Sequence, residues 1–120
     1  VFANQDTVPT LIFDEIDAGV GGATARRVAE KITLLSNRHQ VLCITHLAQI
    51  AAPANAHYVV VKSAEKGRTG TKILHVKGEQ REQEIARLLD GSISEASLEH
   101  ARALLAEFDK NKSAKKKNKK

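Results

Sequence analysis

The sequence predicts an α/β fold with parallel core strands, a hairpin and C-terminal helices, and three observations carry that expectation. Residues 10–14 and 40–45 are short runs with continuous apolar centres, Leu11–Phe13 and Val41–Ile44, as strands buried on both faces of a parallel sheet are. Between them lies a helical pattern, so the order is strand, helix, strand. Further on, "HYVVVKS" and "TKILHVKG" flank the polar stretch "AEKGRTG", the pattern of two antiparallel strands joined by a Gly-containing loop.

Taken in order, Thr10–Asp14 reads as a buried strand. Residues 22–36 read as a helix with Ala23, Val28, Ala29, Ile32 and Leu35 largely on one face. Asn37, Arg38 and His39 make a short return into the second strand, "QVLCIT". Residues 46–52 then fit a short helix stopped near Pro53. After the hairpin, residues 79–89 carry Ile85, Ala86, Leu88 and Leu89 on one face and end at Asp90-Gly91, a natural C-terminal cap. Residues 94–108 form the last expected helix, with Ser94 as N-cap and Leu98, Ala101, Leu104, Leu105 and Phe108 inward.

A chain of 120 residues suits one domain or a piece of one. It begins without Met and shows no secretory pattern, so a fragment of a longer polypeptide is expected. No apolar run approaches the roughly 20 residues of a membrane helix. The expectation is a chain with no membrane partner, in a reducing cytoplasm that suits its one cysteine, Cys43. Between Leu42 and Ile44, that cysteine reads as a small core hydrophobe.

The net charge of +5 is unevenly placed. Residues 1–108 hold 12 Lys and Arg against 13 Asp and Glu, whereas 109–120 hold 7 Lys and one Asp. The excess therefore sits in "DKNKSAKKKNKK", expected to be a disordered lysine-rich tail because it has nothing to bury. Such a tail serves equally as a solubilising end or as a contact to phosphates.

The chemistry concentrates where the first strand ends, in "TLIFDEIDAGVGG". Open parallel sheets bind ligands outside the carboxyl ends of their strands. Asp14 and Glu15 fall at that edge, and a parallel second strand brings Thr45 and His46 to the same one. A carboxylate there can serve Mg²⁺, which takes one or two carboxylates with waters and phosphate oxygens. A second carboxylate can accept a proton from attacking water, and an imidazole can hydrogen-bond a phosphoryl oxygen. Each residue has a plainer reading as a solvated strand end or cap, and for Asp17 the capping of the following helix competes directly. Their joint placement is what raises the functional one. Gly19, Gly21 and Gly22 allow a tight turn but form no GxxxxGK[ST] loop, and none occurs in residues 1–120. His39, His57, His75 and His100 lack metal-ligand spacing and read as structural or surface residues.

With these residues in view, the chain resembles the C-terminal part of an ABC-type ATPase head. "TLIFDE" is similar to a Walker B strand, "IDAGVGG" to the D-loop after it, and "CITHLAQIA" to the switch strand with its histidine. Transporter ATPases usually carry Pro after the Walker B Glu. Here Ile16-Asp17 follows, as in the SMC-like branch that works on chromosomes. "THLAQIAAPANAHYVVVKS", "EIARLLDG" and "SEASLEHARALL" strengthen the resemblance, which runs from about residue 8 to residue 107.

The resemblance implies a P-loop NTPase fold and ATP and Mg²⁺ as cofactors. It implies that Asp14 holds the water shell of Mg²⁺, that Glu15 is the general base and that His46 contacts the γ-phosphate. Asp17 and Gly19 would lie in the D-loop, facing a second protomer across an ATP-sandwiched homodimer. Gln49 falls in the switch segment without an assigned role. The Walker A loop, Q-loop, coiled coil and signature motif precede this region in the family, so residues 1–108 would be the C-terminal part of the head and inactive alone. Repair of DNA double-strand breaks, recombination, DNA as partner and a nucleoid-associated cytoplasmic location are implied in the same way. Two rival readings are a transporter ATPase subunit and a non-catalytic module that tethers DNA.

Overall fold

The computed structural model describes residues 9–16 and 18–117. It holds two compact units, residues 1–53 and 54–120, each with its own small core.

The first unit contains β1 (Thr10–Asp14), α1 (Gly22–Leu35), β2 (Gln40–Ile44) and α2 (Ala48–Ala51). β1 and β2 pair in parallel, from Thr10 opposite Gln40 to Asp14 opposite Ile44. Side chains alternate across a strand, so Phe13 and Cys43 share one face while Ile12, Leu42 and Ile44 share the other. The first face is covered. Ala25 and Ala29 of α1 and Ile50 of α2 form a buried cluster against which Cys43, Leu47, Val28, Ile32, Ile16 and Val20 pack. Small residues on α1 let its backbone approach the sheet closely. Ala25 takes the inward place expected of Ala23, which is exposed.

The second face is not covered within this unit. Ile12 is 66% exposed, Leu42 49% and Ile44 59%. An apolar strand pattern calls for burial on both faces, and the described residues of this unit supply a covering layer for one.

The second unit contains β3 (His57–Glu65), β4 (Arg68–Val76), α3 (Glu79–Asp90) and α4 (Glu95–Lys117). The hairpin is longer than its pattern suggests. Lys66 and Gly67 have φ of 52° and 76° and close a two-residue turn of the kind whose twist matches paired strands. Most of "AEKGRTG" therefore pairs, Ser63 with Gly70 through Glu65 with Arg68, rather than looping out.

α3 buries Ile85 and Ala86 and stops at Gly91, whose left-handed φ of 76° suits glycine. α4 starts as expected at Ser94, whose Oγ accepts the Ser97 amide at 3.1 Å. Ser97, with no exposed surface, returns the favour: its Oγ accepts the Ser94 amide at 2.7 Å and donates to the Ser92 carbonyl at 3.1 Å. The cap is thus reciprocal, with Ser in the place a capping box gives to Glu.

α4 departs from expectation at its far end. The helix does not stop at Phe108 but continues through Lys117, so residues 109–117 of the tail expected to be disordered are helical. Residues 118–120 lie outside the described residues. Lys and Ala are good helix formers, and no Gly or Pro interrupts residues 109–117. Buried Phe108 and a 2.9 Å hydrogen bond from Lys112 Nζ to Asn55 Oδ1 tie this segment down.

Candidate ATPase half-site

The candidate site is built by two strand ends and the turns that leave them. β1 ends at Asp14, opposite Ile44 of β2. Glu15 follows Asp14, and Thr45 and His46 follow Ile44, so these residues leave the sheet at the same edge. Asp14, Glu15 and His46 are all exposed at this edge. Alternation from Ile12 places Asp14 on the uncovered face, beside Ile44.

Apolar neighbours fix where these polar groups emerge. Ile16 and Val20 bracket the turn after Glu15, and Leu47 follows His46; all three pack against the cluster of Ala25, Ala29 and Ile50. The turn itself is tight. Glu15 has φ of 55°, its carbonyl accepts the Ala18 amide at 3.4 Å, and Gly19 has φ of 74°. The chain then enters α1, with the Gly21 carbonyl accepting the Ala25 amide at 2.8 Å. On the second strand, Thr45 Oγ1 accepts the Leu47 amide at 3.0 Å, closing a small hydroxyl turn around His46.

The structure thus brings Asp14, Glu15 and His46 to one edge and places Gly19 in the adjoining turn. Asp17, expected in that turn, lies outside the described residues. Gln49 is half-buried in α2. Thr45 is the residue that sequence reasoning placed at the edge without a task; its signal is a β-branched hydroxyl between a strand and a short helix, two residues before an amide that needs a partner.

The donor set suits a particular kind of ion. Among the described residues, no group of three or more His, Cys, Asp or Glu is placed to hold a metal. One exposed carboxylate at a strand end is the donor that Mg²⁺ uses when phosphate and water complete its shell. A phosphate-cradling GxxxxGK[ST] loop is not among these residues.

Comparison with known proteins bears on the fold and the family. No protein-family model matches the chain. A solved structure described as "Structural biochemistry of ATP-driven dimerization and DNA stimulated activation of SMC ATPases" is similar to it, with a TM-score of 0.53 and 26% identity. The match covers 66% of this chain and 47% of that one. The fold is that of the C-terminal portion of a P-loop NTPase of the SMC type.

Sequence similarity narrows the class. The chain is 55% identical over 98 residues to the DNA repair protein RecN of Deinococcus radiodurans, covering 82% of this chain and 17% of that protein. RecN of Treponema pallidum is 55% identical over 106 residues, covering 88% of this chain and 18% of that protein. RecN of Bacillus subtilis is 40% identical over 113 residues, covering 93% and 20%. The chain is a C-terminal segment of a RecN-like protein, and it spans at most a fifth of the length of these curated relatives.

Proposed function

We propose that the intact protein hydrolyses ATP to ADP and phosphate in the service of DNA repair, and that this segment supplies one half of the ATP site. The observation that carries the reading is the parallel register of Asp14 with Ile44, which delivers Asp14, Glu15 and His46 to one sheet edge from positions about thirty residues apart.

In this reading Asp14 holds the hydrated Mg²⁺ that accompanies the nucleotide. The ion, when bound, offsets charge on the phosphate oxygens. Glu15 orients the attacking water and accepts its proton. His46 donates a hydrogen bond to a terminal phosphoryl oxygen, held in place by the Thr45 turn on one side and the packing of Leu47 on the other. Asp17 and Gly19, in the turn toward α1, meet a second head across the sandwiched nucleotide. The phosphate cradle and signature segment come from elsewhere in the intact protein.

The transporter reading is the weaker one. Ile16 stands where transporters usually carry proline, and it is an apolar anchor packed on the α1–α2 cluster. The similarity to RecN also points to work on DNA rather than at a membrane, and no helix among the described residues is long and apolar enough to cross one.

The deciding experiment is Glu15→Gln in the full-length protein. Loss of a positioned general base lowers turnover about 100-fold or more while ATP binding persists. Turnover within a few-fold of the unaltered protein would remove Glu15 from the base role.

A further inference from the structure

The second unit shows a charge pattern that division of the chain at residue 108 hides. Residues 57–77 hold five Lys and Arg and one Glu, whereas residues 78–90 hold four Asp and Glu and two Arg. Four of those cations, Lys62, Lys66, Arg68 and Lys72, lie between the middle of the hairpin and its tip, and all four are exposed. The proximal half is of another character: exposed Tyr58, Val60 and Ile73, with the Tyr58 ring stacked on His75 at 4.6 Å.

The strand register places the cations on both faces of the ribbon. Lys62 is opposite Thr71, on the face of Tyr58, Val60 and Ile73; Lys72 is opposite Val61, on the other. Lys66 is at the turn, and Arg68 pairs in register with Glu65. Charge on two faces suits a partner with a phosphate wall on each side. The groove between two DNA backbones is such a partner, and the major groove of B-form DNA admits a two-stranded β-ribbon.

The dimensions agree. The four cross-strand pairs from Lys62–Thr71 to Glu65–Arg68 extend about 10 Å at the usual strand rise. The major groove is about 8.5 Å deep and about 12 Å wide. The deep, narrow groove of A-form RNA does not accept such an element.

From this we infer that the distal end of the β3–β4 hairpin is a contact to double-stranded DNA, inserting into the major groove with Lys62, Lys66, Arg68 and Lys72 on the flanking phosphates. The inference rests on the DNA-directed reading above and adds the surface that makes the contact. Contacts of this kind are made largely to phosphate and carry little sequence preference, which suits a protein acting on DNA of any sequence.

The test uses the full-length protein and a fluorescent duplex of random sequence, titrated at several salt concentrations. The variant Lys62→Gln, Lys66→Gln, Arg68→Gln, Lys72→Gln is expected to bind at least about tenfold more weakly near 0.1 M salt. Its plot of log affinity against log salt is expected to be shallower by about 2 to 4, since each lost phosphate contact removes about 0.9. Replacing the three lysines by Arg is expected to preserve affinity, and circular dichroism checks that both variants keep their secondary structure. Unchanged affinity and slope in the Gln variant overturn the hairpin contact alone, the outcome expected if the rest of the polypeptide covers the ribbon. Equal competition by an RNA duplex overturns the B-form groove. An unaltered protein that fails to bind DNA overturns this inference together with the DNA-directed reading.

Discussion

Glu15 occupies a backbone conformation that L-residues avoid, with φ of 55°. Left-handed backbone costs an ordinary residue about 1 to 2 kcal/mol, so the carboxylate at this position is held against a local preference. Packing of Ile16 and Val20 on either side of the turn provides the opposing force. Strain of this kind concentrates at tight turns and working sites; among the described residues it falls at Glu15 and, in the hairpin turn, at Lys66. Elsewhere, at residue scale, His57 is half-buried and its Nδ1 is buried without a hydrogen-bond partner among the described residues. Desolvation, and then the nearby Arg81 guanidinium, hold its imidazole below the ordinary value, against a smaller opposing effect of Glu84. A histidine whose folded pKa is depressed binds fewer protons folded than unfolded, so it favours the fold above the ordinary value of about 6.5, and that contribution is lost as pH falls below it. We expect the thermal midpoint to fall more steeply on acidification below about pH 6.5 in the natural protein than in His57→Gln. Equal slopes would show that this histidine does not couple folding to pH.

At the scale of elements, the start of α4 is the most completely satisfied terminus. Ser94 and Ser97 exchange amide-to-hydroxyl hydrogen bonds, and Ser97 reaches back to Ser92. Because Ser97 has no exposed surface, removing its hydroxyl leaves the Ser94 amide to find another acceptor in a dry place. Ser97→Ala is expected to cost about 1 to 3 kcal/mol, read as an earlier midpoint in urea unfolding followed by helical circular dichroism. A change within about 0.5 kcal/mol, as at an ordinary surface position, would mean that water replaces the hydroxyl. The salt bridge from Arg102 to Glu82 at 3.0 Å between α3 and α4 is partly exposed and contributes little by comparison. Caps of this sort were legible from short patterns, Ser94 before an apolar helix and Asp90-Gly91 after one. The hairpin turn was not, because "EKGR" reads as a polar loop until Lys66 and Gly67 are seen with positive φ, which lets pairing run up to Glu65 and Arg68.

At the scale of the whole molecule, the dominant feature is the apolar face of β1 and β2 left open by Ile12, Leu42 and Ile44. Two parallel strands with one bare side are uncommon, since such sheets are ordinarily buried on both. Exposed apolar surface of this kind drives association when nothing covers it. The 120-residue chain produced by itself is therefore expected to self-associate with rising concentration, and Leu42→Lys to reduce that association, as followed by light scattering. A chain that stays monodisperse at high concentration, with or without the substitution, would show that this face is closed in solution.

Local chemistry was enough, from the sequence, to determine the strand ends that carry Asp14, Glu15 and His46, the order of strand and helix between them, and the caps of the two C-terminal helices. Each of these depends on residues adjacent in the chain. Tertiary structure alone decided the rest. Register paired Asp14 with Ile44 and spread Lys62 and Lys72 over two faces of one ribbon. Packing chose Ala25 over Ala23 as the inward residue of α1, and residues 109–117 are helical where composition argued for disorder. The physical reason is common to register and burial: both are set by residues distant in sequence, and no local pattern reports them.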